Sequence, residues 1–422
     1  MPTGSEPQSV VSPDEAAKAP GRHEYSSFEA RLLRRLLRSF GDPPIEFQLA
    51  WTGERIAPNG FRATEKVRIA DRSTLRGLLR DAHIRFGDAY STGQIEVEGD
   101  LVKFMATVFR TLSQPNAQDS IASRVAGWLH RPRRNTLAGS RDNTHRHYDL
   151  GNDFYALWLG ETMAYTCAYY PQERTTLDQA QFAKMEHVCR KLRVSAGDSV
   201  VEAGCGWGSL ALHMAGRYGA KVRAFNISKE QLEFARRQAR ERGLEKRVEF
   251  IEDDYRNIHG SCDVFVSVGM LEHVGTVHYQ ELGRVIHRSL TGEGRGLIHS
   301  IGRNRPGPLH PWIERRIFPG AYPPSLSEMM QIFEPSNLSV LDVENLRLHY
   351  GRTLRHWLER YEGALDKVRS MFSDESFVRM WRLYLAGSIA AFETGVLQLF
   401  QVLFTKQDNN AIPRTREYMY PH

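Results

Sequence analysis

Three glycines at a spacing of two are the first residues whose pattern predicts chemistry. Gly204, Gly206 and Gly208 follow the apolar run Val200–Val201, and a helical pattern of apolar residues begins after them. A strand, a glycine turn and a helix in this order let backbone N–H groups approach a ligand where a side chain would block it. The spacing G-x-G-x-G differs from the G-x-G-x-x-G of dinucleotide sites. The pattern predicts a cofactor site, with a ligand-free glycine turn as the alternative.

Acid and imidazole groups stand where two further apolar runs end. Glu272 and His273 come just after the run Val264–Val268, and His299 lies near the end of the run Gly296–Ser300. Charged groups at the carboxyl end of a buried strand are typical of binding and catalytic sites. Taken alone, His299 is equally consistent with a hydrogen-bonded histidine of the core.

These residues need a sheet that brings the strand ends together. Strand and helix patterns alternate after residue 198. The predicted elements are Ser199–Ala203, Gly208–Tyr218, Lys221–Asn226, Lys229–Arg242, Val248–Ile251, Val264–Val268, Tyr279–Leu290 and Gly296–Ser300. Such alternation predicts an α/β fold with a doubly wound, Rossmann-like parallel sheet. For Phe377–Phe404 we predict a helix followed by sheet-edge strands.

The chain of 422 residues is long enough for two domains. Residues 1–25 lack the apolar core of a signal peptide and are predicted to be a disordered tail. Residues 26–120 are predicted to form a small N-terminal α+β domain. Residues 121–146 are polar and arginine-rich, which predicts a basic linker, and residues 147–422 form the predicted catalytic domain.

Composition restricts compartment and partners. Lys and Arg number 56 against 50 Asp and Glu, so the net charge is +6. The four cysteines form no Cys-x-x-Cys pair, which predicts a reducing cytoplasm and no metal site. No stretch reaches the roughly 18 apolar residues of a membrane-spanning helix. The basic excess favours anionic surfaces, but no nucleic-acid-binding signature accompanies it, so no nucleic-acid partner is predicted.

An amphipathic helix with a basic face is predicted for residues 28–38. Leucines alternate there with four arginines, Arg31, Arg34, Arg35 and Arg38. The sequence leaves two roles open for this helix, packing on its own domain or contact with a membrane.

Several separated segments together resemble the cyclopropane-fatty-acid synthase family. They are His147–Tyr155, Met163–Tyr169, Val201–Gly208 with Asn226–Gln231, Gly269–Gly275, and His299–Gly302 with Tyr350–Trp357. Glu202 and the glycines that follow it also resemble the first motif of class I S-adenosylmethionine (SAM)-dependent methyltransferases. The resemblance implies a SAM-methyltransferase catalytic domain. Residues 89–100 are similar, more weakly, to the family's lipid-binding N-terminal domain.

The family transfers a methylene unit from SAM to the cis double bond of an acyl chain, usually in a membrane phospholipid. The resemblance implies SAM and bicarbonate as cofactors and unsaturated phospholipid acyl chains as substrate. It also implies a cytoplasmic protein in peripheral contact with the anionic inner face of the membrane, and it leaves a homodimer open. One alternative product is a methylene- or methyl-branched chain. Another alternative is a lipid-binding protein that retains SAM without chemistry.

In this family the base is a bound bicarbonate. The matching residues are Cys167, Glu272, His299, Ile301 and Tyr350, of which all except Ile301 are also predicted to be catalytic. His299 and Tyr350 are expected to donate hydrogen bonds to the anion, as are backbone N–H groups near Cys167 and Ile301. Glu272 is expected to accept the bicarbonate O–H. Taken alone, Cys167 is equally consistent with buried packing.

The resemblance also implies SAM contacts from several strand ends. Gly204 and Gly206 are expected at the methionine part, and Asp254 and Tyr255 at the adenine. Asn226 is also expected to bind the cofactor, and Gln231 with Ser228 is expected at the ribose. Tyr148 and Thr166 are expected to close over the cofactor. A further aromatic set is predicted to line an acyl tunnel or else to form ordinary core: Tyr165, Tyr169, Tyr170, Phe318, Tyr322 and Trp357.

Two positions depart from the family pattern. Ser388 stands where some members carry cysteine, and Glu393 stands where relatives carry arginine. We transfer no role to either residue.

Overall fold

The computed structural model describes residues 27–58, 63–113 and 150–420. The predicted tail 1–25 and the predicted linker 121–146 lie outside these residues. The described strands form two separate sheets, and helices pack on both of them.

The N-terminal sheet has four strands in the order β2-β1-β3-β4, with β1 and β3 parallel and the other pairs antiparallel. Its strands are β1 Ile45–Leu49, β2 Arg55–Ile56, β3 Glu65–Ile69 and β4 Ile95–Glu98. The helices of this region are α1 Phe28–Ser39, α2 Arg72–Ser91 and α3 Leu101–Leu112. Residues of β3 alternate between buried and exposed, as in a sheet with one covered face. The limits of the N-terminal domain stay a prediction.

Helix α1 packs on its own region, and its arginines divide between two faces. Leu33 and Leu37 are buried in the core. Arg34 does not belong to the basic face: it is buried, pairs with Asp42 and donates to the carbonyl of Ala57 at 3.3 Å. The exposed arginines are Arg31, Arg35 and Arg38. The basic face is therefore narrower than the leucine–arginine pattern predicted, because the buried guanidinium is held by a carboxylate.

The second sheet has seven strands in the order β10-β11-β9-β8-β5-β6-β7. Its strands are β5 Ser199–Ala203, β6 Lys221–Asn226, β7 Val248–Glu252, β8 Cys262–Val268, β9 Leu290–Gly302, β10 Leu338–Asn345 and β11 Gln398–Lys406. Neighbours among β5 to β9 run parallel, whereas β11 is antiparallel to both β9 and β10. The predicted doubly wound α/β sheet is confirmed.

Ten further helices are described after residue 149. They are α4 Asn152–Leu159, α5 Leu177–Lys191, α6 Ser209–Tyr218, α7 Lys229–Glu241, α8 Tyr279–Ser289, α9 Pro311–Arg316, α10 Leu326–Phe333, α11 Arg347–Gly363, α12 Leu365–Phe372 and α13 Glu375–Glu393. Short 3₁₀ turns cover Tyr255–Asn257, Leu271–His273, Thr276–His278, Glu334–Ser336 and Glu417–Met419. The turns that follow β7 and β8 hold predicted site residues.

The prediction of sheet-edge strands after the C-terminal helix was wrong. Helix α13 is followed within Phe377–Phe404 by a single strand, β11, which lies inside the sheet, while β10 occupies the edge. The burial pattern gives the reason: all residues of β11 except Lys406 are buried, whereas β10 exposes or half-exposes all but its first residue. A strand that is apolar on both faces needs neighbours and cover on both sides.

The N-terminal region is docked on the catalytic part through α2 and α3, which both pack on α13, and α2 also packs on α9. Gly87 of α2 lies against the indole of Trp312 in α9: a Cβ built on Gly87 would be 2.3 Å from the indole nitrogen. Asp88 pairs with Arg316 of α9 at 3.0 Å. The helix is also bent in its middle, because Asp81 has non-helical backbone angles of φ −157° and ψ 83°. Glycine at position 87 therefore permits the close approach of the two helices.

We predict that Gly87→Ala destabilises the protein by about 1–3 kcal/mol, because an added methyl group overpacks this contact. Gly77→Ala on the same helix is the matched control, since its Cβ would lie 3.7 Å from the nearest atom, a side-chain carbon of Arg85. The free energies of unfolding of both variants are compared with that of the parent by denaturant titration. Equal stability of the two variants would contradict the assigned contact.

Candidate active site

One cavity of about 1570 Å³ joins the N-terminal helices to the carboxyl edge of the large sheet. Most of its wall is apolar, and the N-terminal region contributes much of that wall: Leu33, Leu37, Leu78, Phe86, Phe104 and Val108. The predicted bicarbonate residues also line it: Cys167, Glu272, His299, Ile301 and Tyr350. The structure therefore brings together, in one apolar cavity, five residues that the sequence spreads over more than 180 positions.

Glu272 lies in the 3₁₀ turn after β8 and turns its carboxyl group into the sheet edge. Oε1 accepts the backbone N–H of Ile301 at 2.6 Å. Oε2 is buried and has no hydrogen-bond partner among the described residues. Burial raises the pKa of Glu272 to about 7, with the Ile301 N–H acting in the opposite direction. This carboxyl group therefore changes charge near neutral pH.

His299 lies near the end of β9, at the wall of the same cavity. Its Nδ1 is 3.1 Å from Nε2 of Gln401 in β11. Its Nε2 is buried without a partner among the described residues. Burial lowers the pKa of His299 to about 3, so the imidazole is neutral at physiological pH. A neutral imidazole is suited to hydrogen bonding with an anion rather than to ion pairing.

Cys167 and Tyr350 complete the polar end of the cavity. The Cys167 thiol is buried and donates to the carbonyl of Ala168 at 3.1 Å, and burial raises its pKa above the ordinary value. The thiol is therefore a neutral wall of the cavity and not an activated nucleophile. Tyr350 lies in the first turn of α11, and its ring packs against Phe392 with ring centres 4.6 Å apart.

The position of Ile301 differs from the simplest expectation. Its backbone N–H was expected to donate to bicarbonate, but in this structure it donates to Glu272. The hydrogen bond orients the carboxyl group and leaves the second carboxyl oxygen for another partner. A direct contact between Ile301 and bicarbonate stays a prediction.

The glycine turn after β5 has the shape of a cofactor cradle. Gly204, Gly206 and Gly208 have φ of +82°, +54° and +82°, which L side chains rarely adopt. A Cβ on Gly204 would lie 2.8 Å from Cβ of Met270, whereas one on Gly206 would meet no described atom within 4 Å. The open face at Gly206 fits the close approach of SAM to the backbone, so these residues are consistent with the predicted cofactor.

The predicted ribose residues form one hydrogen-bonded unit at the end of β6. The Asn226 amide donates to the carbonyl of Gly206 at 3.2 Å and to Oε1 of Gln231 at 2.8 Å. Ser228 is the N-cap of α7, where its hydroxyl accepts the backbone N–H of Gln231 at 3.4 Å. Asn226 thus ties the glycine turn to Gln231, while Ser228 has a capping role that its predicted ribose contact did not include.

The predicted adenine residues follow β7. The carboxylate of Asp254 is held by Arg256, with distances of 2.7 and 3.0 Å to the guanidinium nitrogens. The Tyr255 ring is buried, its Oη has no partner among the described residues, and Arg256 lies 5.3 Å from the ring centre. Arg256 therefore contacts both Asp254 and Tyr255, the two residues assigned to the adenine.

Thr166 lies at the cavity wall, and Tyr148 lies outside the described residues. The Thr166 hydroxyl accepts Nζ of Lys184 at 2.8 Å. Sequence reasoning missed Lys184, a buried lysine of α5 whose pKa is lowered by burial to about 8. Gln181 on the same helix donates to the carbonyl of Thr166 at 2.9 Å. Gln181 and Lys184 are three residues apart and therefore lie on the same, buried face of an amphipathic helix. Two polar residues on that face were the sequence signal that could have indicated a site.

The aromatic set divides between cavity and core. Tyr165 and Phe318 line the cavity, whereas the other four do not: Tyr169, Tyr170, Tyr322 and Trp357. The tunnel prediction was wrong for those four. Tyr169, for example, stacks between the rings of His187 and His349 at 4.3 and 4.8 Å. Aromatic density alone cannot separate tunnel wall from core, because both environments are apolar.

The two departures from the family pattern take different places. Ser388 lines the cavity. Glu393 does not; its carboxylate pairs with Arg355 through two contacts of 2.5 and 2.8 Å. Glu393 thus has an arginine partner within this chain.

Comparisons with known proteins agree with this geometry. The family model described as mycolic acid cyclopropane synthetase matches residues 136–402. A probable fatty acid methyltransferase of Pseudomonas putida is 39% identical over 352 residues, covering 80% of this chain and 86% of the relative. The cyclopropane-fatty-acyl-phospholipid synthase of Escherichia coli K12 is 34% identical over 364 residues, covering 85% and 92%.

A solved structure supports the same assignment. The mycolic acid cyclopropane synthase CmaA1, in complex with SAH and CTAB, is 26% identical with a TM-score of 0.60, covering 63% of this chain and 98% of that chain. Coclaurine N-methyltransferase, at 24% identity and a TM-score of 0.60, shares the fold. The chain belongs to the mycolic acid cyclopropane synthetase family and is a SAM-dependent methyltransferase.

Proposed function

We propose that this protein transfers a methylene group from SAM to the cis double bond of an unsaturated acyl chain in a membrane phospholipid, forming a cyclopropane ring. The observation that carries the proposal is a pair of buried polar atoms, Glu272 Oε2 and His299 Nε2, which have no hydrogen-bond partner among the described residues and belong to side chains that line one apolar cavity. The E. coli relative bears the name of this activity. The apolar wall of the cavity suits an acyl chain, and its polar residues suit the removal of a proton from the methylated chain.

SAM, when bound, supplies an electrophilic methyl group. The glycine cradle at Gly206 and the Asn226–Gln231 unit would hold it beside the cavity. The apolar wall excludes water, which would otherwise capture the carbocation that forms on the acyl chain. Tyr165 and Phe318 offer aromatic faces to that positive charge. Alignment of alkene and methyl group by the cavity supplies much of the rate enhancement.

Bicarbonate, when bound, supplies the acceptor for the proton whose loss closes the ring. The unpartnered atoms of Glu272 and His299 fit such a small oxyanion with one O–H group: the carboxylate accepts and the imidazole N–H donates. Cys167, Tyr350 and Ile301 line the same cavity. The Glu272 carboxylate and bicarbonate would repel each other unless a proton lay between them. The O–H of bicarbonate supplies that proton in a hydrogen bond to Glu272.

The substrate places the protein at a membrane surface. Among the described residues, no helix combines the length and apolar character needed to cross a bilayer. The outer face of α1 carries Arg31, Arg35 and Arg38 beside the exposed ring of Phe28. A basic face with an exposed aromatic ring suits peripheral contact with the anionic inner face of the membrane, reached from the cytoplasm.

We predict that the purified protein, given SAM and a monounsaturated phospholipid, increases the mass of the acyl chain by one methylene group. Gas chromatography–mass spectrometry of the released fatty acid is expected to show a cyclopropane. A methylene- or methyl-branched product would indicate that the carbocation rearranges instead of closing the ring. SAM turnover on a small soluble molecule with unchanged lipids would contradict the lipid substrate.

We predict that kcat rises with pH through about 7, because only ionised Glu272 accepts the anion's proton. Glu272→Gln keeps an acceptor for the Ile301 N–H but loses the charge, so we expect at least about a 100-fold lower kcat without this pH step. Glu245→Gln at an exposed position is the control. The rates are measured with bicarbonate held constant at each pH, and full activity of Glu272→Gln would remove Glu272 from the site.

The same carboxyl group has a cost in stability. Its folded pKa of about 7 lies above the ordinary 4.5, so the native state binds the proton more tightly and loses stability as pH rises from 4.5 to about 7. Relative to the parent, Glu272→Gln is expected to gain up to about 3 kcal/mol across that window. Denaturant titrations at pH 5 and 8 measure the difference, and a parallel pH dependence of both proteins would contradict it.

A further inference from the structure

A row of three polar side chains crosses three strands of the large sheet behind the active site, and two of them, His299 and Gln401, are buried while Glu344 is half-buried. Glu344 of β10 is directly opposite Gln401 of β11, and Gln401 is directly opposite His299 of β9. Residues opposite each other in antiparallel strands place their side chains on the same face. Gln401 is fully buried in a strand whose neighbours Phe400, Val402, Leu403 and Phe404 are apolar. An amide in such a strand needs a specific partner.

The imidazole of His299 is that partner. Nε2 of Gln401 lies 3.1 Å from Nδ1 of His299. In the orientation that the structure assigns to the amide, the nitrogen of Gln401 donates and Nδ1 accepts, which puts the single proton of the neutral imidazole on Nε2 and leaves Gln401 Oε1 buried without a partner among the described residues. That imidazole Nε2 is also left buried without a partner among the described residues, on a residue that lines the cavity. The contact with Gln401 therefore determines which nitrogen of the His299 ring carries the proton.

We infer that Gln401 is a positioning residue: its amide holds His299 in the Nε2–H tautomer, so that a neutral imidazole offers a hydrogen-bond donor to an anion in the cavity. The inference rests on the proposed function for the identity of that anion, bicarbonate. The tautomer itself is a property of the protein and is measured without substrate.

An amide suits this task better than the carboxylate that often accompanies a functional histidine. A carboxylate at position 401 would accept from Nδ1–H and favour the imidazolium. The titratable groups facing His299 are Lys184, His187 and Lys191 of α5 and Glu344 of β10. Burial outweighs the attraction to Glu344 and keeps the ring neutral. Because the imidazole of His299 stays neutral, the one property left to set is which ring nitrogen carries the proton, and Gln401 sets it.

The far end of the row is anchored so that Glu344 does not compete for the imidazole. Its Oε2 is 2.7 Å from Nε2 of His187 and 2.6 Å from Nζ of Lys191. These contacts lower the pKa of Glu344 to about 2 against the opposing effect of burial. The carboxylate is thus committed to helix α5, which leaves Gln401 as the hydrogen-bonding neighbour of His299 in the row.

The test begins with the tautomer. Protein labelled with ¹⁵N-histidine gives two-bond ¹⁵N–¹H correlations that separate Nε2–H, Nδ1–H and imidazolium, and His299→Asn identifies the signal. We expect the Nε2–H pattern for the parent protein from pH 6 to 8. Gln401→Glu is expected to protonate Nδ1, and Gln401→Met to give a mixture of tautomers. An Nδ1–H ring in the parent protein, or an unchanged pattern in Gln401→Met, would overturn the inference.

The second readout is the bicarbonate dependence of SAM turnover on a monounsaturated phospholipid. Gln401→Met is expected to raise the half-saturating bicarbonate concentration about tenfold, with the KM for SAM unchanged. Gln398→Met on the same strand is the matched control, because Gln398 is also buried but bonds Asn345 and the carbonyl of Gly395. An equal effect of the two variants would indicate a merely structural role and overturn the inference.

The two proposals fail separately. If the parent enzyme modifies lipid without any dependence on bicarbonate, the proposed base is wrong, while the histidine spectrum still decides the role of Gln401. If bicarbonate is required but the parent ring carries its proton on Nδ1, the positioning role is wrong and the proposed function stands.

Discussion

The hydrogen bond from the Ile301 N–H to the Glu272 carboxylate joins the end of β9 to the turn after β8. It holds a carboxyl group at the carboxyl edge of the sheet, in an apolar cavity where the ionised form is disfavoured. The remaining oxygen then has no described partner. The organisation of the site follows from this constraint, because a buried carboxyl group of this kind needs an exchangeable proton from whatever occupies the cavity.

The cavity that imposes this constraint belongs to both regions of the protein. Helices α1, α2 and α3 supply much of its apolar wall, and the sheet edge supplies the polar end. The two parts are held together by the packing of α2 and α3 on α13 and by the close contact between Gly87 and Trp312.

The glycine turn, the parallel strands and the polar residues at their ends were predictable because each depends on a local pattern. Gly204 and Gly206 need positive φ, and the period of the apolar residues separates β5 from α6. Arg34 and the interior place of β11 depended on partners farther along the chain, whereas the capping role of Ser228 is a local contact with Gln231 that the helix start could have indicated. Lys184 and Gln401 were missed because a single polar residue in an apolar element has no assigned neighbour until the sheet register is known.

The order of strands along the chain has a consequence for synthesis. Strand β9 pairs with β8, made just before it, but its other neighbour is β11, which follows more than ninety residues later. In a nascent chain emerging from the ribosome, one edge of β9 therefore has no paired strand until the segment from Gln398 to Lys406 has been translated. Tyr350 and Leu399, which line the cavity, also follow His299 in the chain, so the cavity wall is completed only after β9 has been made.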